Sequence, residues 1–335
     1  MLLKTICIVI VYRKICRIIL NILFNMNYIG IDLGGTRIKI GLLENYKLID
    51  SQILPAKSSD GLASHLPLID AVIGQMLSFH SISSLEGIAM AFPGLVNPVT
   101  GTVLSTNKKY DDACELKLEE YYQKKWACPF FIDNDARMAT VGEWKFGAGK
   151  GCDDLVMVTF GTGIGTSVVL QGQLLRGKHF QAGCLGGHFI VNYDGKLCTC
   201  GNIGCVEAEA ATGTLTSLAH NHEHFYQSSL NDTGVIDFFK LFMAAKKGDC
   251  VAKEIKDHCI KIWAASIISY IHAYDPEQII LGGGVLNSAD DIIHIIKEKV
   301  EKQAWTPWGS VAIKAGQLGD YAGVFGAVYC LKNKI

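Results

Sequence analysis

Tyr28-Ile-Gly-Ile-Asp-Leu-Gly-Gly-Thr-Arg-Ile-Lys-Ile-Gly-Leu-Leu43 reads as an apolar strand, a Gly34-Gly35-Thr36 turn and a second apolar strand. A Gly-Gly step takes positive φ without steric penalty, so a tight hairpin forms cheaply here. The same design returns further along. Leu155-Val-Met-Val-Thr-Phe160 runs into Gly161-Thr-Gly-Ile-Gly165 and leaves through Thr166-Ser-Val-Val-Leu170. Two matched hairpins predict a duplicated α/β architecture with one anion loop in each half. Successive backbone N–H groups in such a turn can converge on one anion, because no Cβ blocks its approach. Asp32 closes the first strand. A carboxylate there repels phosphate, but it can hold Mg²⁺, which then bridges phosphate oxygens.

Outward from these hairpins the periodicity predicts a helix over 62–80, from Leu62, Leu66, Ile69, Ile73 and Leu77. A buried strand follows at Ile88 to Phe92 and stops at Pro93-Gly94. A strand over 130–132 leads to a helix from Ala136 to Phe146. Val251 to Tyr274 reads as a long buried helix, stopped by Asp275-Pro276. A strand from Gln278 to Leu281 enters a third glycine cluster, Gly282-Gly283-Gly284. Ala322 to Leu331 is apolar and helical in pattern.

The chain has 335 residues, 49% of them apolar, and a formal net charge of −1. That length allows two packed lobes, and the charge gives no footprint for nucleic-acid binding. Twelve cysteines scattered through a long apolar chain indicate a reducing cytoplasm rather than a disulfide scaffold. Residues 1–25 are apolar but broken by Arg13, Lys14 and Arg17, which fits neither a membrane span nor a signal peptide. They are expected to be a leader, disordered or foreign to a native chain that starts at Met26, with a membrane-surface anchor as the alternative. They are too short for a DNA-binding helix-turn-helix domain and its linker. A Walker A loop is absent. Gly161-Thr-Gly-Ile-Gly continues into β-prone residues, which excludes a dinucleotide fingerprint, since that must open a helix.

Two further clusters carry chemistry. His188, Cys198, Cys200 and Cys205 offer three thiolates and an imidazole, which fill a tetrahedral zinc shell and leave no open position. Such an ion is structural. Cys184 is the alternative to His188. Phe131-Ile-Asp133-Asn134-Asp135 ends a strand and opens a helix. One of the three polar residues can cap the helix. A carboxylate at that place can also take the proton of an attacking hydroxyl.

Together these residues resemble the ROK family of repressors, open reading frames and kinases, from about Tyr28 to Ala327. The matching motifs are Asp32-Leu-Gly-Gly-Thr36 with Lys39, Cys198-x-Cys-Gly-x-x-Gly-Cys205-x-Glu207, and Gly319-Asp-Tyr-Ala-Gly323. The resemblance implies a two-lobed actin-like ATPase/hexokinase fold, ribonuclease H-like, with ATP and Mg²⁺ in the interlobe cleft. The N-terminal lobe is then 26–133, completed by a C-terminal helix at 320–335. The C-terminal lobe is 134–319 and carries the zinc loop 188–205.

By the same resemblance Asp135 is the general base, and Gly94, Asn107, Asn134, Glu207 and His188 meet the sugar. Asp32, Gly34, Gly35, Thr36, Lys39, Gly161, Thr162 and Gly163 serve phosphate and its magnesium. Gly282, Gly283 and Gly284 lie near adenosine. A homodimer and transfer to the 6-hydroxyl of a hexose, glucose or an N-acyl-hexosamine, are also implied. The alternative is a non-catalytic sugar sensor or transcriptional regulator. One departure stands out: family kinases read Glu-x-Gly-His before the zinc loop, and this chain reads Leu185-Gly-Gly-His188.

Overall fold

A computed structural model describes residues 26–288 and 292–335, so the leader at 1–25 lies outside the described residues. The strands are β1 Asn27–Leu33, β2 Arg37–Glu44, β3 Lys47–Pro55, β4 Gly87–Phe92, β5 Leu95–Asn97, β6 Thr102–Ser105 and β7 Phe130–Asn134. They continue as β8 Leu155–Phe160, β9 Ile164–Leu170, β10 Gln173–Leu174, β11 Gln278–Gly282 and β12 Ala312–Ala315.

Ten of them build two five-stranded sheets, ordered β3-β2-β1-β4-β7 and β10-β9-β8-β11-β12. In each sheet the first three strands are antiparallel and the last three parallel. The two sheets therefore match strand for strand, as the paired hairpins predict. Parallel neighbours need a crossover, and helices supply it: Leu66–Phe79, Leu118–Trp126, Cys250–Tyr274 and Ile292–Gln303. The central strands β4 and β11 are buried along their whole length, which is why they read as unbroken apolar runs.

The helix expected over 62–80 begins only at Leu66, because Pro67 sits in its first turn, where a missing N–H is harmless. Upstream, the N–H groups of Leu62 and Ala63 donate to the Asp112 carboxylate instead. The helix expected from Val251 runs Cys250–Tyr274 and ends with Asp275 at φ 45°. Among the described residues no helix is long and apolar enough to cross a membrane.

Each sheet has its own buried cluster, and a third cluster joins them. That shared core contains Ala89 and Ala91 of β4, Leu155 and Met157 of β8, and Ile280 of β11. It also contains the inner faces of two helices, Asp135–Phe146 and Ala322–Asn333. These helices cross closely. A Cβ on Gly142 would fall on the Ala322 carbonyl oxygen, and one on Gly326 would fall on the Met138 carbonyl oxygen. Both helices start at the cleft between the sheets, so this crossing sets the distance between two walls of the site. Gly326→Val is expected to force the helices apart, destabilise the fold by about 3 kcal/mol and lower Tm by several degrees. A thermal melt unchanged from the parent would refute the tight crossing.

Candidate active site

The first hairpin pairs Asp32 with Lys39 across its strands. The Lys39 ammonium lies 3.2 Å from the Asp32 carboxylate and 3.3 Å from that of Asp320. Burial pushes the Asp32 carboxyl above its ordinary range, and Lys39 only partly offsets this. Lys39 itself is held charged: burial opposes its charge, but Asp32 and Asp320 outweigh it. At the tip, the Gly34 N–H closes the turn onto the Arg37 carbonyl at 2.8 Å. The N–H groups of Gly35 and Thr36 have no partner among the described residues.

The second hairpin repeats the arrangement. The Gly161 N–H closes onto the Gly163 carbonyl at 2.9 Å. The Gly161 and Thr162 carbonyls accept from the N–H groups of Thr212 and Gly213, at 3.1 and 3.2 Å. The Thr162 and Gly163 N–H groups are left without a partner among the described residues. Each tip therefore commits its first glycine to the turn and leaves two N–H groups for an anion.

The polar run at the end of β7 divides its work. Asp133 is fully buried and takes Arg137 at 3.3 Å and Arg176 at 2.8 Å. A buried charge so paired fixes the end of the strand. Asn134 is the helix cap: its Oδ1 accepts from the Arg137 N–H at 3.1 Å. Its amide donates to the Gly94 carbonyl and to Asp135 Oδ1, both at 3.0 Å. Its two N–H bonds are thus committed. Asp135 faces the cleft from the first turn, its Oδ1 accepting from the Ala136 N–H at 2.8 Å. Burial, and then the charge of Asp32, push the Asp135 carboxyl up to about 6, against the pull of Lys109 and the Ala136 N–H.

A cavity of about 400 Å³ opens beside these groups, lined among others by Asp32, Gly34, Lys39, Asp135 and Gly282 to Gly284. A second, of about 440 Å³, is lined by Asn107, Lys109, Thr162, Gly163 and Glu207 with Cys198. Gly283 has φ 92°, and a Cβ there would strike the Phe160 carbonyl, so glycine is required where the third cluster meets the second hairpin.

The donor atoms of His188, Cys198, Cys200 and Cys205 all lie within 4.8 Å of one another. Cys200 and Cys205 sulfurs are 3.7 Å apart, and His188 Nδ1 is 3.5 Å from the Cys198 sulfur. Tetrahedral bonds of about 2.3 Å to sulfur and 2.0 Å to nitrogen require spacings of about this size. Cys184 sits elsewhere, accepting from the Arg137 guanidinium at 3.4 Å, so the geometry favours His188 over Cys184. The helix Val206–Ala210 leaves directly from Cys205 and presents Glu207. Its Oε2 accepts from the Ile164 N–H at 2.9 Å, and a Cβ on Gly163 would collide with it. The Cys/His cluster is thus tied to the second hairpin through Glu207. The Leu185–His188 turn is wedged under Tyr270, whose hydroxyl donates to the Gly186 carbonyl at 2.9 Å, and it carries no acid.

Several residues of the site gave no signal in the sequence. Glu143, on the cavity wall, accepts from the N–H groups of Leu318 at 2.7 Å, Ala148 at 2.9 Å and Gln317 at 3.0 Å. It holds the loop that delivers Asp320 to Lys39. Lys109 and Tyr110 also belong here, and the Tyr110 hydroxyl donates to the Gly34 carbonyl at 2.7 Å.

Known proteins resemble this chain in sequence and fold. A model of the ROK family matches residues 28–334. A glucokinase of Halalkalibacterium halodurans is 31% identical over 317 residues, covering 92% of this chain and 95% of the relative. The structure of a ROK family glucokinase from Streptomyces griseus, in complex with glucose and AMPPNP, superposes with a TM-score of 0.77. It is 26% identical, and the match covers 92% of this chain and 99% of that one. Repressors stand among the relatives too: the DNA-binding transcriptional repressor Mlc of Escherichia coli is 26% identical over 286 residues, covering 83% of this chain and 70% of its own. The fold is that of the actin-like sugar kinases, and the chain belongs to the ROK family.

Proposed function

We propose that the chain is an ATP-dependent sugar kinase, transferring the γ-phosphoryl group to a hexose hydroxyl. The 6-hydroxyl of glucose or of an N-acyl-hexosamine is the acceptor the resemblance favours. The observation that carries this reading is Asp135, a half-buried carboxyl on the wall of the cavity that Gly34, Lys39 and Gly282 to Gly284 also line, lifted by burial to about 6. A sugar hydroxyl needs a base during attack, and a base titrating near neutrality is suited to that task. A binding-only protein has no use for one. Relatives named as glucokinases support the same reading.

In this mechanism the unpartnered N–H groups of Gly35, Thr36, Thr162 and Gly163 hold phosphate oxygens. Asp135 receives the hydroxyl proton. Asn107, Glu207 and His188 surround the sugar, and Asn134 orients the base through its amide. Asp32 would hold Mg²⁺, which supplies charge neutralisation on the phosphates. His188, Cys198, Cys200 and Cys205 would hold structural Zn²⁺, which supplies a rigid centre for the loop that presents Glu207. The sensor reading is kept by one feature, the leucine at 185 where family kinases carry a glutamate.

The base sets the pH dependence. Asp135 works ionised, and its raised pKa means that the ionised form is lost as pH falls through about 6. kcat/KM for the sugar is expected to be flat above this value and to drop about tenfold per pH unit below it. A profile level down to about pH 4.5, where an ordinary aspartate still ionises, would contradict the assignment. The reading itself is tested by ADP release from Mg-ATP with a panel of hexoses and N-acyl-hexosamines.

A further inference from the structure

The strap from Asn107 to Tyr110 is strained and pinned. Asn107, Lys108 and Tyr110 have φ of 48°, 61° and 57°, in the left-handed region that non-glycine residues avoid. The strap persists because Tyr110 is fully buried, its hydroxyl bonded to the Gly34 carbonyl and its N–H to the Ser58 carbonyl at 2.9 Å. Strain held in place this firmly clusters at functional positions. What the strap delivers is Lys109. Its Cε lies 3.6 Å from the point a Cβ on Gly35 would occupy, at the tip of the first hairpin. It also lines the cavity that Thr162 and Gly163 border at the tip of the second.

Of the other cations near the cleft, Lys108 lines the second cavity too but is exposed, and the rest are spoken for. Lys39 is paired with Asp32 and Asp320, Arg37 with Asp320, and Arg137 and Arg176 with Asp133. Lys109 is half-buried, and among the described residues its ammonium has no hydrogen-bond or ion-pair partner. Its charge still acts on Asp135, which faces Asp32, the Asn134 amide and the Ala136 N–H as well. An unpaired ammonium between two anion loops and a base stands where a phosphoryl group passes between nucleotide and sugar.

We propose that Lys109 is a catalytic residue that binds the γ-phosphoryl group and offsets its charge during transfer. This rests on the kinase reading above. In the step, the sugar hydroxyl oxygen bonds to the γ-phosphorus while the bridging P–O bond to the β-phosphate breaks. That electron pair stays on ADP, and the hydroxyl proton passes to Asp135. Lys109 keeps its protons throughout and faces the equatorial oxygens, on which the transition-state charge is spread.

The test uses the full chain with Lys109→Met and Lys109→Arg, both checked for an unchanged thermal melt. Calorimetry compares Mg-AMPPNP with Mg-ADP, which differ by the γ-phosphoryl group. The parent is expected to prefer the triphosphate analogue. Lys109→Met should lose that preference by about tenfold while ADP affinity stays put, and Lys109→Arg should keep most of it. In turnover, Lys109→Met should lower kcat about a hundredfold with little change in the sugar KM. A Lys109→Met protein that keeps both the preference and kcat overturns the proposal, and so does an effect confined to the sugar KM. A parent that phosphorylates no sugar defeats the kinase reading instead, and the nucleotide comparison still decides for or against Lys109.

Discussion

Asp135→Asn lowers kcat about a thousandfold and yields a protein more stable than its parent at neutral pH. The two effects share one cause. Asparagine keeps the acceptor that takes the Ala136 N–H and the Asn134 amide, so the local hydrogen bonds survive. It cannot take a proton from a hydroxyl. It also removes a charge that the folded state holds at a cost, since burial and Asp32 lift this carboxyl from its ordinary range to about 6. The sign follows from linkage: the folded state binds the proton more tightly than the unfolded chain does. The cost is therefore present above about pH 6 and fades as the group protonates in both states. Discounted for the partial exposure of the residue, the gain at neutral pH is about 1–2 kcal/mol. Thermal melts at about pH 7.5 should show it, and melts near pH 4 should not. Equal melts at both values would mean that the carboxyl ionises as an ordinary one does.

Cys200→Ser is the second large effect. The loop that holds this residue has almost no apolar core of its own; its buried cluster is Cys198, Cys205 and Ala208. A few backbone bonds brace it, such as Cys198 N–H to Asn202 at 2.7 Å and Gly204 N–H to Lys196 at 2.8 Å. Four ligand bonds to zinc would dominate that balance, because structural zinc in small loops contributes about 10 kcal/mol or more to folding. Without a cation the three thiols crowd one another. Burial and the neighbouring Cys200 and Cys198 push Cys205 up to about 12. The parent is expected to carry about one zinc per chain and Cys200→Ser to carry none. The loop should become sensitive to protease, and Glu207 should lose its grip on the Ile164 N–H, raising the sugar KM at least about tenfold. Metal analysis that finds no zinc in the parent would sink the account of this loop.

Much of this was legible in the sequence, for physical reasons that can be named. The hairpins announced themselves because turn glycines and apolar strands are local chemistry. Their repetition foretold two sheets of one topology. The candidate metal ligands fall within one short loop plus one histidine, so their spacing already pointed to a cluster. The division of labour at Asp133, Asn134 and Asp135 was not legible. The three are adjacent in sequence, and only the positions of Arg137, Arg176 and the Gly94 carbonyl show which pairs, which caps and which faces the cleft. Glu143 gave no sign of its role, because its partners at Gln317 and Leu318 come from the far end of the chain. Strand β12 was missed because it buries only Ile313, too little to show alternation. Lys109 sits in a polar run, and its place at the cavity depends on a left-handed backbone path that no residue pattern specifies.

The most direct test of the central claim is sugar-dependent ADP release from Mg-ATP, measured for the parent and for Asp135→Asn over glucose, mannose, fructose, allose, N-acetylglucosamine and N-acetylmannosamine. The account predicts turnover with at least one of these sugars in the parent and its loss in the variant. A folded, zinc-loaded parent that turns over none of them, or a variant that keeps the parent's rate, would contradict it.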